Sequence, residues 1–88
     1  MDLKDYRNKL DTIDGEILAL FHERMETVAA IAAYKKAQGL PVLAPGREKD
    51  ILDRVRESSR DELAPYVATL FETLMYLSRE YQKTLLDD

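Results

Sequence analysis

Three long basic side chains, Arg7, Arg24 and Lys35, recur at helical spacing among apolar residues. At ~100° per residue they share one face with Leu10, Ile17, Phe21, Val28 and Ile31. A cation taken out of water is costly unless an anion meets it, and no acidic residue joins this stripe on the same helix. The pattern points to a small anionic ligand held inside a helical bundle. Arg24 and Lys35 are eleven residues apart, roughly 16 Å along a helix axis, so their side chains, leaning together, bracket a ligand the size of a substituted six-membered ring. Arg7 is seventeen residues from Arg24, roughly 25 Å, too far for both to grip one small molecule from a single helix. If two such helices run antiparallel, the start of one approaches the later part of the other, and Arg7 serves the second chain's site.

Further along, the adjacent pair Arg47 and Glu48 stands at the start of a second helical segment, and Ser78 and Gln82 stand at i and i+4 on the apolar stripe of a third. The inventory is several cations, one carboxylate, one hydroxyl and one amide, with no Ser/His/Asp arrangement, no thiol and no metal cluster. Such a set binds carboxylates and orients a neutral polar skeleton, and it offers no obvious nucleophile. Each member alone has a plainer reading. A stripe-edge Arg snorkels, an early Glu complements the helix dipole, and a helical Ser bonds back to a carbonyl one turn earlier. Only the joint pattern favours a site. His22 and Glu26 at i and i+4 lack a third ligand and read as surface residues, so no metal is expected. Tyr6, Tyr34, Tyr66, Tyr76 and Tyr81 read as packing residues, and Asp87-Asp88 as a solvated end.

The elements that must position these groups are all helical. From Leu3 to about Gln38 the apolar period runs without a proline, and Gly39 with Pro41 stops it. Gly15 in the middle costs ~1 kcal/mol relative to Ala, yet the period passes through it in phase. Residues 39–46, with Pro41, Pro45 and Gly46, read as a loop. A short helix over about 47–58 carries Glu48, Ile51, Leu52 and Val55 on one face, and residues 58–63 are polar and turn-like. A third helix over about 64–86 has Pro65 in its first turn and a broad stripe through Val67, Leu70, Phe71, Leu74, Leu77, Ser78, Tyr81, Gln82 and Leu85. The expectation is one all-α domain over 1–88, three helices in the order long, short, medium. The first helix would extend roughly 50 Å, about twice the ~25 Å diameter of a compact domain this small. Its stripe needs a second copy, and the predicted assembly is an intertwined antiparallel six-helix homodimer.

Composition narrows the function classes. At 88 residues the core of a lone chain is marginal. With 13 Lys and Arg scattered among 17 Asp and Glu, no basic face suits a nucleic-acid backbone. No apolar run approaches the ~20 residues that span a bilayer, and the charged start is unlike a signal peptide, so a soluble cytoplasmic protein is expected. The absence of cysteine excludes a disulfide framework and a thiolate metal site.

Taken in order, these residues resemble the all-helical chorismate mutases over nearly the whole chain. Tyr6-Arg7-Asn8-Lys9-Leu10, Ile13-Asp14-Gly15-Glu16-Ile17 and Leu20-Phe21-His22-Glu23-Arg24 are similar to that family's first-helix motif, and Lys35 stands where the family has its catalytic lysine. Arg47-Glu48 resembles the pair opening the family's second helix, and Ser78 with Gln82 resembles its third-helix hydroxyl and amide. The resemblance implies conversion of chorismate to prephenate in phenylalanine and tyrosine biosynthesis, an intramolecular [3,3] rearrangement with no cofactor and no covalent intermediate. Arg24, with Arg7 from a partner chain, would hold the substrate carboxylates, and Lys35 and Gln82 the ether oxygen. Glu48 would accept from the ring hydroxyl, Arg47 would order Glu48, and Ser78 would donate to a carboxylate. One departure is Ala44, where relatives often carry Asp; its backbone amide would serve, while Pro45-Gly46 alters the loop. The alternatives are an isochorismate pyruvate lyase on a similar scaffold and a non-catalytic helical module that docks on another aromatic-pathway enzyme.

Overall fold

The computed structural model describes residues 1–86, so the Asp87-Asp88 end lies outside the described residues. Three helices account for most of them: α1 (Leu3–Gln38), α2 (Pro45–Ser58) and α3 (Ala64–Leu86). Helix α3 packs against both α1 and α2 and is the element that relates them.

Both ends of α1 are set by local chemistry. The Asp2 carboxylate accepts from the Asp5 amide at 3.0 Å, and Asp5 accepts in return from the Asp2 amide at 3.2 Å, a reciprocal cap that satisfies two amides at the start of the helix. At the other end Gly39 adopts φ 67°, a left-handed conformation that costs glycine nothing, and the Leu40 amide reaches back to the Lys35 carbonyl at 2.8 Å. Between these caps α1 runs unbroken through Gly15.

Helix α2 begins two residues earlier than its pattern predicts, at Pro45 instead of Arg47. Proline breaks helices from within, but at the first position its missing N–H has no partner to lose and its fixed φ is already helical. Ala44 is the N-cap; its side chain makes no cap bond, and its carbonyl accepts from the Glu48 amide at 3.1 Å.

The buried apolar set among the described residues is small: Val28 and Ala32 from α1, Ala68 and Met75 from α3. Leu3, Leu10, Ile17 and Leu20 of α1 are all more than half exposed. The molecule measures 54 × 27 × 14 Å with a radius of gyration of 16.2 Å, against about 12 Å for a compact domain of this length. Helix α1 thus extends well beyond α3, the helix that packs against it. No helix among the described residues is long and apolar enough to cross a membrane.

Candidate active site

A cavity of about 320 Å³ opens between the C-terminal half of α1, the loop before α2, the first turns of α2 and the second half of α3. That volume is within the ~300–1,000 Å³ usual for small-ligand pockets. Val28, Ile31, Ile51 and Met75 give it apolar walls. Its polar groups are Arg24 and Lys35 on α1, Arg47 and Glu48 on α2, and Ser78, Arg79 and Gln82 on α3. Ala44 lines it from the loop.

Each polar group is held differently. The Arg24 guanidinium donates through Nη1 to Ser78 Oγ, with a longer contact of 3.4 Å to the Leu74 carbonyl. Burial pulls the Arg24 pKa below its ordinary value, since desolvation penalises the charged form. A guanidinium starts so high that it keeps its charge. The Ser78 hydroxyl gives its one proton to the Leu74 carbonyl at 2.8 Å while accepting from Arg24. In this state it holds the guanidinium in place. Lys35 Nζ donates to the Val42 carbonyl at 2.8 Å, so the same residue ties the loop by its side chain and, through its own carbonyl, by the Leu40 amide.

Glu48 is engaged by a residue absent from the sequence-based inventory. Arg79 Nη1 donates to both carboxylate oxygens, at 2.5 and 2.6 Å, joining α2 to α3 with both side chains about three-quarters covered. The expected partner, Arg47, is exposed at the rim. Gln82 is buried, and its Oε1 has no hydrogen-bond partner among the described residues. A buried polar atom left unpaired is costly; Gln82 also lines the cavity, where its amide N–H groups can donate to a ligand.

Seven of the eight residues singled out in the sequence are therefore brought together: Arg24, Lys35, Ala44, Arg47, Glu48, Ser78 and Gln82. Arg7 is not among them; it is exposed and lies outside the cavity wall. Among the described residues the lining carries four cations and one carboxylate in a chain whose net charge is −4, so positive potential is concentrated where the walls are apolar. Chemically, the arrangement accommodates a small polyanion and offers cations and an amide to oxygen atoms on which charge accumulates. Among the described residues no cluster of His, Cys, Asp and Glu could hold a metal ion.

Residues 6–83 match the model of chorismate mutase type II. The chain belongs to that family. It is 32% identical over 88 residues to a chorismate mutase of Methanocaldococcus jannaschii, covering 98% of this chain and 89% of that protein. It is 37% identical over 73 residues to a T-protein of Haemophilus influenzae, covering 83% of this chain but only 19% of that much longer protein. It is also 33% identical over 60 residues to a 4-amino-4-deoxychorismate mutase of Streptomyces venezuelae, covering 68% of this chain and 58% of that protein. No solved structure matches at a significant level.

Proposed function

We propose that this chain is a chorismate mutase acting in aromatic amino acid biosynthesis, with its reaction taking place in the cavity between α1, α2 and α3. The observation that carries the reading is the convergence of Arg24, Lys35, Glu48 and the amide of Gln82 on one small cavity in a member of this family.

The rearrangement breaks a carbon to oxygen bond as it forms a carbon to carbon bond, and it needs no general base. What it needs is a reactive conformation held in place and stabilisation of the ether oxygen as negative charge grows there. Arg24 holds a substrate carboxylate. Lys35 leaves the Val42 carbonyl and donates, with Gln82, to the ether oxygen. Ser78, turned away from the Leu74 carbonyl, donates to a carboxylate, and Glu48 accepts from the ring hydroxyl. Arg47 and the Ala44 backbone close the loop side.

The working unit in this reading is an antiparallel homodimer, and the partner subunit's Arg7 completes each site. Two features support it. The N-terminal half of α1 leaves Leu3, Leu10 and Ile17 exposed. Beside Arg24 an almost wholly apolar hollow of about 360 Å³ lies among Ile17, Leu20, Phe21, Leu70, Phe71 and Leu74. Apolar surface of this kind is stabilised by burial against a second copy.

The deciding experiment follows the ultraviolet absorbance of chorismate on addition of purified protein and identifies the product. Loss of chorismate with stoichiometric prephenate is expected. No turnover above the uncatalysed rate, or release of pyruvate and salicylate from isochorismate in its place, would overturn the reading.

A further inference from the structure

Glu48 is the sole carboxylate among the described residues lining the cavity, and both of its oxygens accept from one guanidinium nitrogen of Arg79. The pair joins α2 to α3 and is mostly shielded from water. On the mutase reading, on which this inference rests, the substrate presents two carboxylates and an ether, all acceptors, and one hydroxyl donor on its ring. Cations serve the acceptors, and the one anion serves the donor.

A carboxylate facing that ring position alone would not favour a hydroxyl. It would favour an amine, which is positively charged near neutral pH and forms a hydrogen bond charged on both sides. Arg79 changes that balance in two ways. Two contacts from one guanidinium fix the orientation of the carboxylate, leaving its remaining lone pairs to accept from the ligand. The positive charge of Arg79, within hydrogen-bond distance of the same oxygens, also cancels most of the attraction that Glu48 exerts on a cation. A neutral hydroxyl loses little by this cancellation, whereas an ammonium loses its ion pair and meets a second positive charge. The other cationic side chains of the lining, Arg24, Lys35 and Arg47, add to the same bias.

We propose that Arg79 is a positioning and specificity-determining residue: it orients and neutralises Glu48, so that the site takes a substrate with a neutral hydroxyl at the ring position Glu48 meets and rejects the analogue with a charged amine there.

The test compares kcat/KM for chorismate and for 4-amino-4-deoxychorismate in the wild-type protein and in Arg79→Met, Arg79→Gln and Arg79→Lys, with helix content checked by circular dichroism. The wild type is expected to prefer chorismate. Arg79→Met keeps the apolar stem without the charge and is expected to lower kcat/KM for chorismate and move the ratio of the two substrates toward the amine by roughly tenfold or more, the scale of one charge-assisted hydrogen bond. Arg79→Gln keeps donors near Glu48 without the charge, is expected to move the ratio in the same direction, and carries the test if the methionine variant does not fold. Arg79→Lys retains the charge and is expected to retain most of the wild-type ratio.

A purely structural role predicts equal losses for both substrates and an unchanged ratio, and that result overturns the proposal. So does a wild-type preference for the amine, or a lysine variant that behaves like the neutral ones. A wild type that turns over neither substrate overturns the mutase reading and this assignment with it, whereas chorismate turnover with a constant ratio overturns this assignment alone.

Discussion

At 6% exposure, Gln82 lies in the cavity wall with an amide oxygen that no other described group meets. An amide has donor hydrogens at every pH, whereas a carboxyl donates only while protonated. The wild-type protein is therefore expected to need no acid for this position to work, and a steep loss of turnover between mild acid and neutrality would contradict its role. In Gln82→Glu, burial raises the new carboxyl's pKa, and Arg24, Lys35, Arg47 and Arg79 around the cavity oppose that rise while Glu48 adds to it. The protonated form carries the donor, so turnover should increase as pH falls through that pKa. At neutral pH the loss in kcat should be on the order of 10²–10³, the usual effect of removing one preorganised donor. A pH profile of the variant parallel to the wild type would show that Gln82 does not donate to the reacting oxygen. The i and i+4 spacing of Ser78 and Gln82 on the apolar stripe makes them legible as inward-facing polar residues, and both are buried, but only the other polar groups give that pair the meaning of a site. Arg79 stands three residues before Gln82 and hence on a neighbouring part of the same face, yet local spacing gives it no distinguishing signal. Its partner is 31 residues away on another helix, a pairing to which local periodicity is blind. Adjacency suggested Arg47 for Glu48, yet successive helical residues diverge by ~100° and do not face one another.

The helices themselves were the most legible feature, because each carries a 3.6-residue apolar period over several turns and each end has a chemical signal nearby. The start of α2 was the exception. Pro45-Gly46 reads as a loop by composition, and only the surrounding backbone shows that the proline occupies a first helical position. Two glycines within or beside α1 make opposite demands that stability can test. Gly15 has helical backbone, and a Cβ added there meets nothing within 4 Å. Gly39 holds φ 67°, where a Cβ crowds its own backbone even though the space around it is open. Gly15→Ala should therefore raise the unfolding free energy by about 1 kcal/mol. Gly39→Ala should lower it by about 1–2 kcal/mol. Urea denaturation at one fixed protein concentration reads both. A loss on Gly15→Ala would mean that a second chain covers that side of α1, and no loss on Gly39→Ala would mean that the turn after α1 does not depend on the left-handed cap. The second outcome also bears on the site, because that turn carries Leu40 and Val42, the residues tied to Lys35.

For the molecule as a whole, the first helix sets the problem. Its exposed half carries Leu3, Leu10 and Ile17, and it also carries Arg7, the one expected site residue that the single chain leaves outside the cavity. The proposed antiparallel pairing of two copies would address both facts, since covering the apolar half of α1 would also bring Arg7 to the neighbouring cavity. The two consequences can be separated by genetics of the assembly. Arg7→Ala and Arg24→Ala should each abolish most turnover when made alone, because every site in such a homodimer lacks one of its carboxylate-binding cations. When the two variants are unfolded together in equal amounts and refolded, random pairing makes half of the dimers mixed. In a mixed dimer one cavity combines an intact Arg24 with an intact Arg7 and the other lacks both. About a quarter of the wild-type number of sites should therefore return, with KM close to that of the wild type. Mixing the folded variants without unfolding should restore activity only as fast as subunits exchange. If Arg7 acted within its own chain or only stabilised the fold, no mixture could regenerate an intact site, and the refolded sample would show only the residual activities of its two parents.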